Sequence, residues 1–250
     1  MRVYFYVLIS ALLGLDPFAP IEKSLEKRLM AGIAGLESAA VKFTATRLEF
    51  LFRGLCRGVV VEMRGLPTGA VKIDSFRIEA GNFRFSPFFT FVRDQARVYG
   101  AEFANWTMRI LDEDVQDYFA SRGPLLRGVT VHIEPEAVTI RRASSIAEAL
   151  NLREPLSICG CLVLDAHKNV ALDLEHVKTF GIGPGRPLLH AALKLVNPIL
   201  TASEINRILN KTEGGPLASV KLKAAFDNIR MDHGHIDLFG TITANRRRKA

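Results

Sequence analysis

Apolar residues recur along this chain in two rhythms, and the switches between them mark out its elements. Ile21, Leu25, Leu29, Ile33 and Leu36 stand three and four apart with Glu and Lys between them, the period of an amphipathic helix. From Glu37 the period is two: Val41, Phe43 and Ala45 alternate with Lys42, Thr44 and Thr46, as in a half-buried strand. Val59, Val61 and Met63 share one face, and the turn-forming run from Gly65 to Gly69 leads to Val71 and Ile73, which predicts a hairpin. Phe76 and Ile78 fall out of phase with Val71 and Ile73, so a bulge or strong bend is expected near Ser75. Phe83, Phe85, Phe88, Phe89 and Phe91 then form an apolar, loop-like stretch broken by Ser86-Pro87.

The same grammar continues to the end of the chain. Trp106, Met108 and Ile110 alternate as a strand; Asp112 is placed to cap a helix, Glu113 and Asp114 suit its positive end, and Val115, Tyr118 and Phe119 line one side before Gly123 and Pro124 stop it. Val129, Val131 and Ile133 turn at Glu134-Pro135 into Val138 and Ile140. Ile158, Leu162 and Leu164 turn at His167-Lys168-Asn169 into Val170, Leu172 and Leu174. Leu188 to Val196 reads as a short apolar helix ended by Asn197-Pro198, because proline excludes helix from the residue before it. Thr201 and Glu204 have capping-box spacing ahead of Ile205, Ile208 and Leu209. Val220, Leu222 and Phe226 turn near Asp232-His233-Gly234 into Ile236, Leu238 and Ile242. The fold class is α+β with long antiparallel strands, and hairpins followed by a helix in both halves permit a pseudo-symmetric arrangement.

The N-terminus adds a location. Arg2 precedes the uncharged run Val3 to Leu15, which has the basic and apolar regions of an export signal but falls short of the ~20 residues of a comfortable membrane span. No cysteine lies near it, and no clean small-residue cleavage site follows, so residues 1–19 are expected as a signal peptide or an N-terminal anchor. Residues 20–245 then form one domain and 246–250 a basic tail.

Composition narrows the partners. Over 250 residues the chain is 48% hydrophobic and 24% charged, and its formal net charge of +7 favours anionic neighbours. The Lys and Arg residues are scattered, apart from Arg246 to Lys249, with no nucleic-acid motif, so nucleic acid is not expected as a partner. Cys56, Cys159 and Cys161 are an odd number that closes no disulfide framework, and they read as small apolar residues.

Candidate chemistry is sparse. Gly181-Ile182-Gly183-Pro184-Gly185 lies where a phosphate loop would sit, but Pro184 and Pro187 remove two of the needed N–H donors. His233 and His235 flank a turn glycine, and a solvated turn explains them better than a metal. Asp112, Glu113, Asp114 and Asp117 are accounted for by a helix N-terminus. The Asn-x-Thr matches at Asn105 and Asn210 carry no weight. No catalytic residue, metal site or cofactor is expected.

Two segments carry a resemblance. Ile110 to Phe119 (Ile-Leu-Asp-Glu-Asp-Val-Gln-Asp-Tyr-Phe) and Leu193 to Leu200 (Leu-Lys-Leu-Val-Asn-Pro-Ile-Leu), with the closing Leu238-Phe239-Gly240, resemble the LmeA-like phospholipid-binding family. Gln116, and the length of Thr201 to Asn210, depart from that pattern. The resemblance implies a tubular lipid-binding-like fold: a long, strongly curved antiparallel sheet wrapped around one or two helices, leaving an apolar groove. It implies a non-enzymatic role in binding or transferring phospholipid in the bacterial envelope, in the periplasm and peripheral to or anchored in the inner membrane. Candidate lipid-binding residues are Phe83, Phe85, Phe88, Phe89, Phe91, Val129, Val131, Ile133, Val138, Ile140, Leu162, Leu164, Leu172 and Leu174. The phenylalanines suit either a membrane-facing mouth or the core. The alternatives are an envelope scaffold that holds a protein partner on the same surface, and an envelope hydrolase or transferase using carboxylates near Asp112.

Overall fold

A computed structural model describes residues 18–46, 49, 53–85, 98–100, 103–122, 127–142, 156–178, 194, 197–210 and 220–246. The predicted period changes become elements almost where they stand. Helix α1 (Ala19–Gly32) is followed by β1 (Ser38–Thr44), β2 (Leu55–Pro67), β3 (Lys72–Phe85), β4 (Val98–Gly100) and β5 (Phe103–Leu111). Next come α2 (Asp112–Ser121), the hairpins β6 (Val129–Ile133) with β7 (Val138–Arg142) and β8 (Leu156–Leu164) with β9 (Val170–Lys178), then α3 (Ala202–Asn210). The hairpin of β10 (Val220–Asp232) and β11 (His235–Arg246) completes the order. Of the expected apolar helix over 188–196 only Lys194 is described, as helical, and the stop at Gly123-Pro124 and the glycine-rich stretch 181–185 lie outside the described residues.

The strands form a seven-stranded sheet, with the path β1-β2-β3-β5-β11-β10 and β4 beside β3, and a four-stranded sheet, β6-β7-β8-β9. All the strand pairs are antiparallel. The fold is α+β. Among the described residues neither sheet is closed or strongly curled, and the helices pack on end strands, α1 on β1, α2 on β6 and α3 on β10. One apolar cluster spans both sheets, from Met63, Phe76 and Trp106 in the larger to Val131, Ile140 and Leu172 in the smaller. In the larger sheet Trp106 packs between two aromatic rings, with Phe226 edge-on at 5.0 Å and Phe76 tilted at 5.8 Å.

The bulge expected near Ser75 is absent. The β2–β3 ladder passes from Arg64 opposite Ser75 to Leu66 opposite Ile73 without a change of register. Gly65 has a φ of 63°, a left-handed conformation that glycine adopts without a steric penalty. That local rotation lets Met63 with Phe76 and Leu66 with Ile73 all join the core, although strict alternation would put the two pairs on opposite faces. A side chain at position 65 would also strike the carboxyl of Glu37. Among the described residues, register shifts lie between Arg84 and Phe85 in β3–β4, between Cys159 and Gly160 in β8–β9, and between Phe226 and Asn228 in β10–β11.

Helix ends follow local chemistry. Thr201 and Glu204 form the predicted capping box: the Glu204 N–H donates to Thr201 Oγ1 at 3.3 Å and the Thr201 N–H to Glu204 Oε2 at 2.9 Å. Asp112, expected as a cap, is instead the first residue of α2, and the capping position falls on Leu111 with no side-chain cap. The Asp112 carboxylate accepts the Glu113 N–H at 2.8 Å. The boundary moved because Leu111 pairs with His235 and is held as the last residue of β5.

Candidate functional site

The candidate lipid-facing residues divide by position. Val129, Val131, Ile133, Val138, Ile140, Leu162 and Leu172 are buried, all inward from the four-stranded sheet, while Leu164 and Leu174 are half-buried against the same cluster. Strand alternation accounts for this, since Val131 stands opposite Ile140, Ile133 opposite Val138 and Leu162 opposite Leu172. The structure therefore brings nine of the candidates to one aliphatic face. Phe83 and Phe85 belong to the backbone of β3, Phe83 opposite Cys56; their side chains, and all of Phe88, Phe89 and Phe91, lie outside the described residues.

Polar groups are few near this face. Among the described residues, Thr68 and Asp114 are the buried polar ones. Thr68 is satisfied within its turn, its hydroxyl donating to Val71 O at 2.7 Å and accepting the Ala70 N–H at 3.1 Å. Burial pushes the Asp114 carboxyl above the usual range, opposed by nearby Lys72 and by a backbone hydrogen bond from Leu111. Burial likewise pushes the Cys56 thiol up to about 11. Its Sγ donates to Gly58 O at 3.0 Å, which fits a packed, unreactive thiol. No group of His, Cys, Asp and Glu among the described residues is arranged to hold a metal ion. A small cavity of about 60 Å³ lies among Ile33, Pro67, Thr68, Arg207 and Ile208, room for a few waters but not for an acyl chain.

What sequence reasoning missed is how the sheets end. Every terminal strand of the two paths, β1, β10, β6 and β9, gives outward N–H groups to a side chain. On β1, the Val41 N–H donates to Glu26 of α1 at 3.0 Å and the Phe43 N–H to Glu22 at 2.8 Å. On β10, the Ala224 N–H donates to Asn206 of α3 at 2.6 Å and the Leu222 N–H to Asn210 at 3.0 Å. Gln116 of α2 takes the Val131 N–H of β6 at 3.3 Å. On β9, Asn197 accepts the Leu172 N–H and donates to its carbonyl, each at 2.8 Å. The signal was present as acceptors four apart, Glu22 with Glu26 and Asn206 with Asn210. Four helical residues rise about 6 Å, close to the ~6.8 Å between alternate strand amides, so such a pair can straddle an edge. Edges closed in this way do not template pairing with another chain.

The loop that carries Asn197 is itself anchored. The Tyr118 hydroxyl donates to Pro198 O at 3.2 Å and accepts from Arg122 at 2.8 Å, while the Arg122 guanidinium sits 4.5 Å over the Tyr118 ring. The Val170 N–H also reaches Leu200 O at 2.9 Å.

Comparison of the chain with protein-family models, curated proteins and solved structures found no match. The functional reading therefore rests on the chain's own residues.

Proposed function

We propose that this protein is a non-enzymatic phospholipid-binding protein of a bacterial cell envelope, exported by its N-terminal segment, with acyl chains held in an apolar groove between the two sheets. The observation that carries the reading is the inward face of β6–β9. It is aliphatic from Val129 through Leu172, and Leu164 and Leu174 continue it with only partial cover. Each acyl methylene sheltered there contributes about 0.8 kcal/mol.

The way the sheets meet supports the same role. They belong to separate ladders and share one apolar cluster, with a backbone bond from the Gly234 N–H of the β10–β11 turn to Ile133 O of β6 at 3.0 Å. Parting them at the end away from that bond exchanges apolar contacts for contacts with an acyl chain and breaks no strand pairing. The edge amides keep their Glu, Asn and Gln partners throughout. The segments Ile110 to Phe119 and Leu193 to Leu200, with their likeness to the LmeA-like family, point the same way.

The test uses Trp106, the single tryptophan of the chain. Protein loaded with phospholipid brominated along its acyl chains should show quenched indole emission, and native mass spectrometry should show a lipid adduct. An unaltered emission together with a clean apo mass after incubation with liposomes would overturn the reading.

A further inference from the structure

We infer that the outward face of α1 is a docking surface for an anionic phospholipid bilayer. The inference rests on the membrane association in the reading above and adds where the contact is made and by which charges.

The helix segregates its charge. Its acidic residues, Glu22 and Glu26, turn inward and are engaged by the Phe43 and Val41 amides of β1. Its basic residues, Lys23, Lys27 and Arg28, are exposed. At about 100° per residue, Lys23 and Lys27 stand about 40° apart and roughly 100° and 140° round from Glu22, while Arg28 lies about 100° beyond Lys27 on the other side of the helix. Met30, on the border of that face, is 39% exposed, which makes it the exposed large hydrophobic residue among those described. A basic face bordered by an apolar side chain is the chemistry that binds anionic headgroups.

Position along the chain reinforces the charge. The uncharged run Val3 to Leu15 ends three residues before Phe18, a reach of about 10 Å at full extension. A bilayer that takes up the apolar run therefore meets the first turn of α1 at headgroup depth. The bonds from Glu22 and Glu26 that tie α1 to β1 come from the other side of the helix.

The experiment is co-sedimentation of the full chain with vesicles. Wild-type protein should bind vesicles of mixed phosphatidylglycerol and phosphatidylcholine, bind phosphatidylcholine alone far less, and lose binding as salt is raised. The variant combining Lys23→Ser, Lys27→Ser and Arg28→Ser should bind the mixed vesicles about ten-fold or more weakly while circular dichroism shows it still folded. The charge-retaining pair Lys23→Arg with Lys27→Arg should bind like the wild type. Undiminished binding by the triple variant, or equal binding of wild type to both vesicle types, would overturn the inference. Native mass spectrometry on the same samples separates the two claims. Charge-dependent sedimentation without a lipid adduct keeps this surface and removes the cargo reading, whereas an adduct with undiminished sedimentation of the triple variant does the reverse.

Discussion

Trp106 and Gly240 stand opposite each other across β5 and β11, and the indole occupies the space that a side chain at position 240 would fill. The same missing side chain leaves room for the carbonyl of Ala225 on β10. The indole N–H reaches Thr241 O at 3.3 Å, so the ring is held both by packing and by a hydrogen bond. Gly240 was noticed in the sequence only as part of a closing Leu-Phe-Gly. Its reason is this ring.

Gly240→Val should therefore be strongly destabilising, because the new Cβ meets strand backbone on one side and the indole on the other. A loss of about 3 kcal/mol or more is expected, as for severe overpacking of a core. Chemical denaturation followed by Trp106 emission measures it, and a loss below about 1 kcal/mol would show that the ring has another place to go.

Removing an edge stopper should act on association as well as on stability. Asn197→Ala leaves both the N–H and the carbonyl of Leu172 without their side-chain partner, at a cost of about 1–3 kcal/mol. Glu22→Ala with Glu26→Ala uncovers two amides of β1 and should speed aggregation, measured by light scattering at constant temperature. Unchanged aggregation would mean that the bulk of α1, not its carboxylates, protects that edge.

Cys56 gives stability a pH dependence of known sign. Its ordinary value is 9.0 and in the folded chain it is pushed up to about 11 by burial. Below the ordinary value the thiol is neutral in both states and the stabilising effect of burial is complete. As pH rises further the unfolded thiol ionises first, so stability falls through that window by up to ~2–3 kcal/mol. Cys56→Ala should flatten this part of the profile in equilibrium unfolding, and native Cys56 should resist thiol reagents near pH 8.

Thr201→Ala should loosen the start of α3 by about 1 kcal/mol, since it removes the hydroxyl that accepts the Glu204 N–H and leaves only the backbone half, from the Thr201 N–H to Glu204 Oε2. The shift in thermal midpoint measures it. Because α3 carries Asn206 and Asn210, faster hydrogen exchange at Leu222 and Ala224 is expected alongside.

How much of this was legible beforehand varies by element. The hairpin of Val129 to Ile140, the turn after Leu164 and the capping box at Thr201 follow from local period and turn chemistry, and they stand where expected. The face that gathers Val131, Ile140, Leu162 and Leu172 was also legible, since alternation alone assigns a side to each residue. The bulge expected near Ser75 does not form, because a left-handed glycine in one strand can re-aim side chains without changing the register. That the described helices pack on end strands was not legible, because amphipathic period says that a helix has an inner face but not which surface receives it.

By itself, then, the order of residues determined the elements, their apolar faces and the absence of a closed cysteine framework, all of which depend on neighbours a few positions apart. Only the tertiary structure decided that β11 joins β5 and that β8 does not, although both hairpins carry the same alternation. It also decided that Glu22, Gln116, Asn197 and Asn206 serve as strand partners. A backbone amide carries no residue identity, so which side chain meets it is settled by the packing of distant segments.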